Sequence, residues 1–230
     1  MADTGFNAAC AQGYDNWIEQ MIPGYGFMHR LTEVFLGAEL PETASILMVG
    51  AGTGAEVVAC GTRHSGWTIS AIDPSPAMVK RGREKTDANG LSDRVHWHDT
   101  SLKKLEVEEP FDAATLLLVL HFLPDDGGKG ALLEHIAERL KPGAPLVVST
   151  FVGDPTNTRT KKIYELSRAY AIASGVTPAE ATEKFNLART DVHLVPEERI
   201  KTLLRNAGFI DVQRVLQGLA MITWVARTPR

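Results

Sequence analysis

Short apolar runs alternate with longer stretches of helical spacing over most of this chain. Ser45-Ile46-Leu47-Met48-Val49 is apolar after its first residue and stops at glycines, the pattern of a strand buried on both faces of a parallel sheet. Thr68 to Ile72, Val95 to His98, Phe111 to Leu120 and Leu146 to Phe151 read as four further strands. Between them, Pro76 to Asn89 reads as a helix ending at Gly90, and Lys129 to Leu140 as one stopped by Lys141-Pro142-Gly143. Strands separated by helices predict βαβ units, a parallel sheet and right-handed crossovers.

Both ends of the chain break this rhythm. Tyr14 to Ile22 reads as a short helix broken by Pro23-Gly24. Phe27, Leu31, Val34 and Phe35 fall at the spacing of a second helix, ending near Leu40-Pro41. Thr158 to Ser174 and Pro178 to Ala188 look helical with no strand between them, as an insertion would. Pro196 to Asn206 is a last helix, ended by Gly208. Two closing runs, Phe209 to Leu216 and Leu219 to Ala226, are joined by Gln217-Gly218 and predict a hairpin. The parallel sheet is therefore expected to end in antiparallel strands.

Composition narrows the function more than the fold. The 230 residues are 44% hydrophobic and 23% charged, which excludes a disordered or collagen-like chain. A net charge of −4 disfavours a general nucleic-acid or anionic-membrane binder. Cys10 and Cys60 allow one disulfide at most and no zinc framework, and two reduced thiols are the simpler expectation. The first residues lack a basic start followed by an apolar run, and the longest apolar run, 113–120, is too short to span a bilayer. A soluble, cytoplasmic protein is expected.

Gly50-Ala51-Gly52-Thr53-Gly54-Ala55 follows the first strand, where a glycine-rich turn lets a ligand approach the main chain and the next helix offers free N–H groups. The loop also fits a dinucleotide fingerprint, so taken alone it is weak. Asp73 ends the second strand, where a carboxylate can hold a ribose diol, or can cap the helix behind Pro74. Asp99 ends the third strand beside Thr100 and Ser101, placed to accept from an adenine amine or to serve as a turn residue. Two acids at successive strand ends beyond one glycine loop describe a ligand crevice at the carboxyl edge of the sheet.

These residues together resemble a known family. Ile46 to Gly54, Ala71-Ile72-Asp73-Pro74-Ser75-Pro76-Ala77-Met78, His98-Asp99, Leu140-Lys141-Pro142-Gly143 and Ala207-Gly208-Phe209 are similar to class I S-adenosylmethionine-dependent methyltransferases, over nearly the whole chain. The resemblance implies an α/β, Rossmann-like seven-stranded sheet of order 3-2-1-4-5-7-6 with strand 7 antiparallel. It implies a single domain, 1–230, divided into an N-terminal helical lid (1–40), a cofactor-binding core (41–152), a helical insertion (153–195) and a last helix with the terminal hairpin (196–230). S-adenosylmethionine would be the cofactor and S-adenosylhomocysteine the product. Gly50, Ala51 and Gly52 would face its methionine part, Asp73 and Pro74 the ribose, Met78, Asp99, Thr100 and Ser101 the adenine, and Leu117 and Leu118 the sulfonium side. Glu56 stands where many members carry an acid. Met48 stands at a strand-one position that is often acidic, so a partner for the methionine amine is expected from the N-terminal helices.

A closer similarity is to the carboxy-S-adenosylmethionine synthases of tRNA wobble uridine modification. Trp17-Ile18-Glu19-Gln20-Met21-Ile22-Pro23-Gly24-Tyr25 resembles their lid, with Tyr25 and Tyr14 at the cofactor, and 158–188 resembles their insertion. Their Lys-Arg pair falls here on Lys184-Phe185, and a polar residue of theirs falls on Leu117. A phenylalanine cannot pair with the added carboxylate, which favours ordinary methyl transfer, although Lys184 or Arg189 could substitute.

Methyl transfer from a sulfonium is an in-line displacement with a neutral leaving group, so alignment supplies much of the rate. A general base is needed only where the nucleophile loses a proton. His121, before Phe122-Leu123-Pro124, is expected on the crevice loop as that base, or else as a loop histidine with solvent or backbone partners; His29 and Glu19 are the other candidates. Trp17, His29, Tyr164 and Phe185 are expected to line a mostly apolar acceptor pocket closed by the lid. His96 and His98 share a strand face without a third ligand, so no metal is expected. The expected partner is a small-molecule acceptor, with neither nucleic acid nor membrane, and the inserted helices would suit a homodimer. The competing classes are an NAD-dependent oxidoreductase, which normally lacks Asp99 and the terminal hairpin, and a non-catalytic cofactor-binding protein.

Overall fold

The computed structural model describes residues 8–230, except the side chains of residues 8–10, 12, 188 and 189. Seven strands form one sheet: β1 (Ala44–Val49), β2 (Trp67–Ile72), β3 (Val95–His98), β4 (Ala113–Leu117), β5 (Pro145–Phe151), β6 (Ile210–Gly218) and β7 (Met221–Arg227). Their order is 3-2-1-4-5-7-6, as the resemblance implied. β7 runs antiparallel to β5 and β6 and the other pairs are parallel. Among the described residues the α-helices are α1 (Ala8–Met21), α2 (Tyr25–Glu39), α3 (Ala55–Arg63), α4 (Pro76–Ala88), α5 (Gly128–Ala137), α6 (Thr158–Ala173), α7 (Pro178–Asp191) and α8 (Glu197–Asn206).

The strands alternate between two cores, as the period of two requires. Ile46 and Met48 of β1 pack with Val57, Trp67, Trp97 and Met28 on one face, while Leu47 and Val49 pack with Leu116, Leu133, Leu146 and Trp224 on the other. α2, α3 and α4 cover the first face; α5 and α8 cover the second. α8 buries Ile200, Leu203 and Leu204, and carries acids in its first turn and Arg205 in its last, the arrangement its dipole favours.

Four sequence expectations are corrected. The first helix starts at Ala8, not near Tyr14. α2 buries the stripe Tyr25, Met28, Thr32 and Leu36, so Phe27 and Val34 of the expected apolar set are 58% and 47% exposed. The fourth strand stops at Leu117, because Leu118 takes a left-handed backbone (φ 59°) that no strand continues through. The hairpin turns at Leu219-Ala220, with Leu219 at φ 55°, and Gly218 is still paired with Met221. Gly218 is needed for a different reason: a Cβ there would lie 2.4 Å from the Pro23 carbonyl oxygen, where the α1–α2 turn rests on the hairpin.

Candidate functional site

The glycine loop lies at the carboxyl end of β1 and is held by backbone bonds. Gly50 and Ala51 both donate to the Ile72 carbonyl, at 2.7 and 3.0 Å. At Gly50 the backbone is left-handed (φ 69°) and a Cβ would sit 2.2 Å from Val119 Cγ2, so only glycine fits. Asp73 fastens this loop to the end of β2. Its Oδ2 accepts from Gly52 N and its Oδ1 from Ser75 N, both at 2.9 Å. The capping role belongs to Ser75, whose Oγ accepts from Met78 N at 3.3 Å, not to Asp73. Burial raises the Asp73 carboxyl above its ordinary value, and the two N–H bonds oppose that.

The register Ile72↔His98 brings Asp73 and Asp99 to adjacent strand ends, and Asp73 N donates to the His98 carbonyl at 3.1 Å. Asp99, Ser101 and Pro74 are exposed, Thr100 is half-buried, and Met78 is buried under α4.

The two N-terminal helices close over the loop. Tyr14 of α1 and Tyr25, Met28 and His29 of α2 enclose a cavity of about 30 Å³ with Gly50, Ala51, Gly52, Thr53, Ala55, Glu56, Leu117 and Leu118. Eight residues assigned from the sequence thus meet in one place: Tyr14, Tyr25, His29, Gly50, Ala51, Gly52, Leu117 and Leu118. Tyr25 meets the His29 ring edge-on at 4.5 Å. Both ring nitrogens of His29 and Oε2 of Glu56 are sealed from solvent without a hydrogen-bond partner. Burial pushes the His29 imidazole down to about 4, the Glu56 carboxyl up to about 8 and the Tyr25 phenol upward.

Asp15, which no motif or spacing singled out, latches α1 to the loop. Thr53 Oγ1 donates to Asp15 Oδ1 at 2.6 Å, and Lys85 Nζ of α4 reaches Asp15 Oδ2 at 2.6 Å and Thr53 Oγ1 at 3.1 Å. Lys129 was also missed. Its buried ammonium donates to the carbonyls of Leu120 and Leu123 at 2.7 and 2.6 Å and so fixes the turn that follows β4.

His121 is not at the crevice surface as expected. It is 2% exposed on that turn, with Nδ1 3.1 Å from Thr150 Oγ1 and its ring against Phe122 and Phe151. Burial pushes it down to about 3, so it stays neutral and is a weak base where it stands. The four expected acceptor-pocket residues do not converge either. His29 lines the loop cavity, whereas Tyr164 and Phe185 line a separate pocket of about 330 Å³ between α6, α7 and the segment after β5. The reason is packing: Phe185 meets Tyr164 edge-on at 5.5 Å and buttresses the small α6–α7 core. Trp17 packs against Tyr14, and Lys184 Nζ lies 4.5 Å over its ring. Cys10 lies outside the described side chains, and Cys60 is a buried free thiol. Among the described residues no cluster of three His, Cys, Asp or Glu could hold a metal, and no helix is long and apolar enough to cross a membrane.

Comparison with known proteins agrees with this geometry. Residues 47–146 match the methyltransferase domain family. The carboxy-S-adenosyl-L-methionine synthase of Cronobacter sakazakii is 25% identical over 212 residues, covering 91% of this chain and 85% of that protein. Among solved structures, a possible exported protein from Bordetella parapertussis superposes with a TM-score of 0.67 at 20% identity, over 88% of this chain and 67% of that one. The 1,6-didemethyltoxoflavin-N1-methyltransferase of Burkholderia thailandensis, solved with 1,6-didemethyltoxoflavin and S-adenosylhomocysteine, gives 0.62 at 22% identity, over 95% and 83%. The chain thus carries a methyltransferase domain match over residues 47–146, within a seven-stranded sheet of order 3-2-1-4-5-7-6.

Proposed function

We propose that the protein transfers the methyl group of S-adenosylmethionine to a small organic acceptor held beneath α1 and α2, mainly by in-line alignment. The observation that carries this is the convergence of Tyr14, Tyr25 and His29 from the lid onto the glycine loop and the end of β4. The cofactor brings an electrophilic methyl on sulfur, whose leaving group is a neutral thioether. The residues present fit it. The unpartnered Glu56 oxygen and the bare ring nitrogen of His29 offer acceptors at the loop, and each Asp73 oxygen keeps a lone pair beyond its one backbone bond for a ribose diol. Asp99, Thr100 and Ser101 beside Met78 serve the base.

Leu117 and Leu118 form an apolar wall, and the lid excludes water from the reacting centre. His29, pushed down to about 4 by burial, stays neutral at pH 7 and offers one bare ring nitrogen as an acceptor in the cavity. The chain's net charge of −4 suits a small metabolite better than a nucleic acid.

A second reading has one specific observation behind it, the similarity to carboxy-S-adenosyl-L-methionine synthases over 91% of the chain. Against it, no arginine or lysine is among the residues lining the loop cavity, and Phe185 is engaged with Tyr164 in the other pocket. Denaturing mass spectrometry of the purified protein tests both. Co-purified S-adenosylmethionine or S-adenosylhomocysteine is expected, whereas carboxy-S-adenosylmethionine would move the function to the synthase or to a user of its product.

A further inference from the structure

The helical insertion holds a larger hollow that the cofactor reading does not use. It measures about 330 Å³, within the size range of small-molecule pockets, and shares no lining residue with the loop cavity. Its origin lies in packing. α6 and α7 are joined by a small core of Ala171, Val176 and Ala181, with Ile172 and Phe185 against it, toward the end of α6. Nearer the start of α6, Val192 and Leu194 floor the gap that remains. That floor is fixed by the main chain around it: His193 N donates to the His121 carbonyl at 2.7 Å and Gly153 N to the Val195 carbonyl at 3.0 Å.

The charges at this hollow are unspent. Lys161, Glu165 and Arg168 stand at i, i+4 and i+7, so one face of α6 turns all three toward it. None of the three side chains makes an ion pair or a hydrogen bond among the described residues. α6 as a whole carries Arg159, Lys161, Lys162 and Arg168 against the single acid Glu165, in a chain of net charge −4. Two free cations and one acid leave a surplus positive charge at the hollow, which favours a monoanion. Its apolar wall begins with Tyr164 and Phe185, half-buried rings that meet edge-on at 5.5 Å. With Val192 and Leu194 they offer a surface to a flat ring.

We propose that this hollow is a second small-molecule site, which takes an aromatic monocarboxylate. The Arg168 guanidinium meets the carboxylate, because its planar fork of donors matches two oxygens. Lys161 adds to the attraction from one turn and more toward the start of α6, and the ring of the ligand lies on Tyr164 and Phe185. Glu165, between the two cations, opposes the anion and so limits the charge the site accepts. The site goes beyond the cofactor reading and does not depend on it.

The test is titration of the full chain, followed by saturation-transfer NMR, with indole-3-acetate and benzoate, each beside its uncharged amide, and with inorganic phosphate. The carboxylates are expected to bind with a Kd of about 1 mM or tighter, and the amides about tenfold more weakly, the equivalent of one charge-assisted hydrogen bond. Phosphate has charge without a ring and should bind more weakly than either carboxylate. Arg168→Gln should weaken carboxylate binding about tenfold, whereas Glu165→Gln should strengthen it about threefold by removing a like charge. Both positions are exposed, so the Tm of each variant should match the parent's, and a loss of structure would not move the two affinities in opposite directions. Saturating S-adenosylhomocysteine should leave carboxylate binding in place, since the two cavities share no residue. Failure of both carboxylates to bind, equal binding of acid and amide, phosphate binding as tightly, or displacement by S-adenosylhomocysteine would each overturn the proposal. A chain that binds the carboxylates but not S-adenosylhomocysteine would overturn the cofactor reading and leave this site standing.

Discussion

Three buried titratable side chains near the carboxyl edge make the protein's stability depend on pH in opposite directions. His29 and His121 are pushed down to about 4 and 3, so between there and their ordinary 6.5 the unfolded chain binds more protons. Their contribution to stability is lost as pH falls through that range. Glu56 is pushed up to about 8 from 4.5, so the folded chain binds the extra proton, and stability falls as pH rises between those values. The histidine effects are complete above 6.5, and the buried Lys129 ammonium, pushed down to about 8, acts in the opposite sense only from the top of the range upward, so Glu56 dominates the window from 6.5 to 8. Denaturant unfolding without ligand should show stability declining there by on the order of 1 kcal/mol, and Glu56→Gln should abolish the slope. An unchanged slope in the variant would assign the decline to another group. Asp73 gives a second prediction at this scale. Asp73→Ala removes the acceptor for Gly52 N and for Ser75 N as well as the proposed diol contact. Binding of S-adenosylhomocysteine should weaken by about a hundredfold, near the upper range for a lost charged hydrogen bond. Asp73 was legible in the sequence because an acid at a strand end has a recognisable spacing from the glycine loop. Glu56 was picked out only by the resemblance, since a lone acid in a first helical turn reads equally as a favourable dipole partner, and only burial without a partner separates the two.

At the scale of elements, the sequence was most readable where a single strand or helix sets its own pattern. β1 ends at a glycine loop whose chemistry is local, and the parallel strands follow from apolar runs alone. The departures arise where one element is shaped by another. Leu118 leaves the strand conformation under the turn that Lys129 holds from nine residues farther on. Phe27 and Val34 have the right spacing for a core face, but α2 buries the stripe through Met28 and Leu36. Gly218 looks like a turn glycine but is a contact glycine, made necessary by the Pro23 carbonyl. Gly218→Ala is therefore expected to loosen the seat of the α1–α2 turn on the hairpin, costing about 1–3 kcal/mol as overpacking does, read as a lowered Tm. A Tm equal to the parent's would mean that the hairpin yields without cost. Asp15→Asn should act on the same lid from its other side. The pair with Lys85 is part-exposed, at 32% and 23%, so its loss is worth below about 1 kcal/mol. The dissociation rate of S-adenosylhomocysteine in stopped flow should rise by a few fold, with association little changed. A rate unaffected by the substitution would show that the Thr53 contact alone carries the latch.

For the whole molecule, these details converge on a requirement for motion. The space between lid and loop is about 30 Å³, room for about one water molecule and far short of the several hundred Å³ that enclose a small-molecule ligand. The sheet cannot supply the difference, because β1, β4, β5 and β7 are buried on both faces. Motion is therefore expected of the N-terminal helices. α1 is held by Ile18, and just past its end Ile22, in the core, by the Asp15 latch, by Trp17 under the Lys184 ammonium and by its turn on the hairpin, and the polar contacts among these are partly exposed. Closure over a ligand would seat Tyr14, Tyr25 and His29 against it, so ligand binding and lid order should rise together. Amide hydrogen exchange followed residue by residue tests this. Without ligand, the amides of residues 8–24 should exchange far faster than those of β1, β4 and β5. Saturating S-adenosylhomocysteine should slow residues 8–24 by about tenfold or more while leaving β6 unchanged, since that edge strand has no part in the site. Protection confined to the glycine loop, with α1 exchanging as before, would mean that the ligand enters without the lid, and that the enclosing tyrosines are packing residues of the N-terminal helices and not part of the binding site.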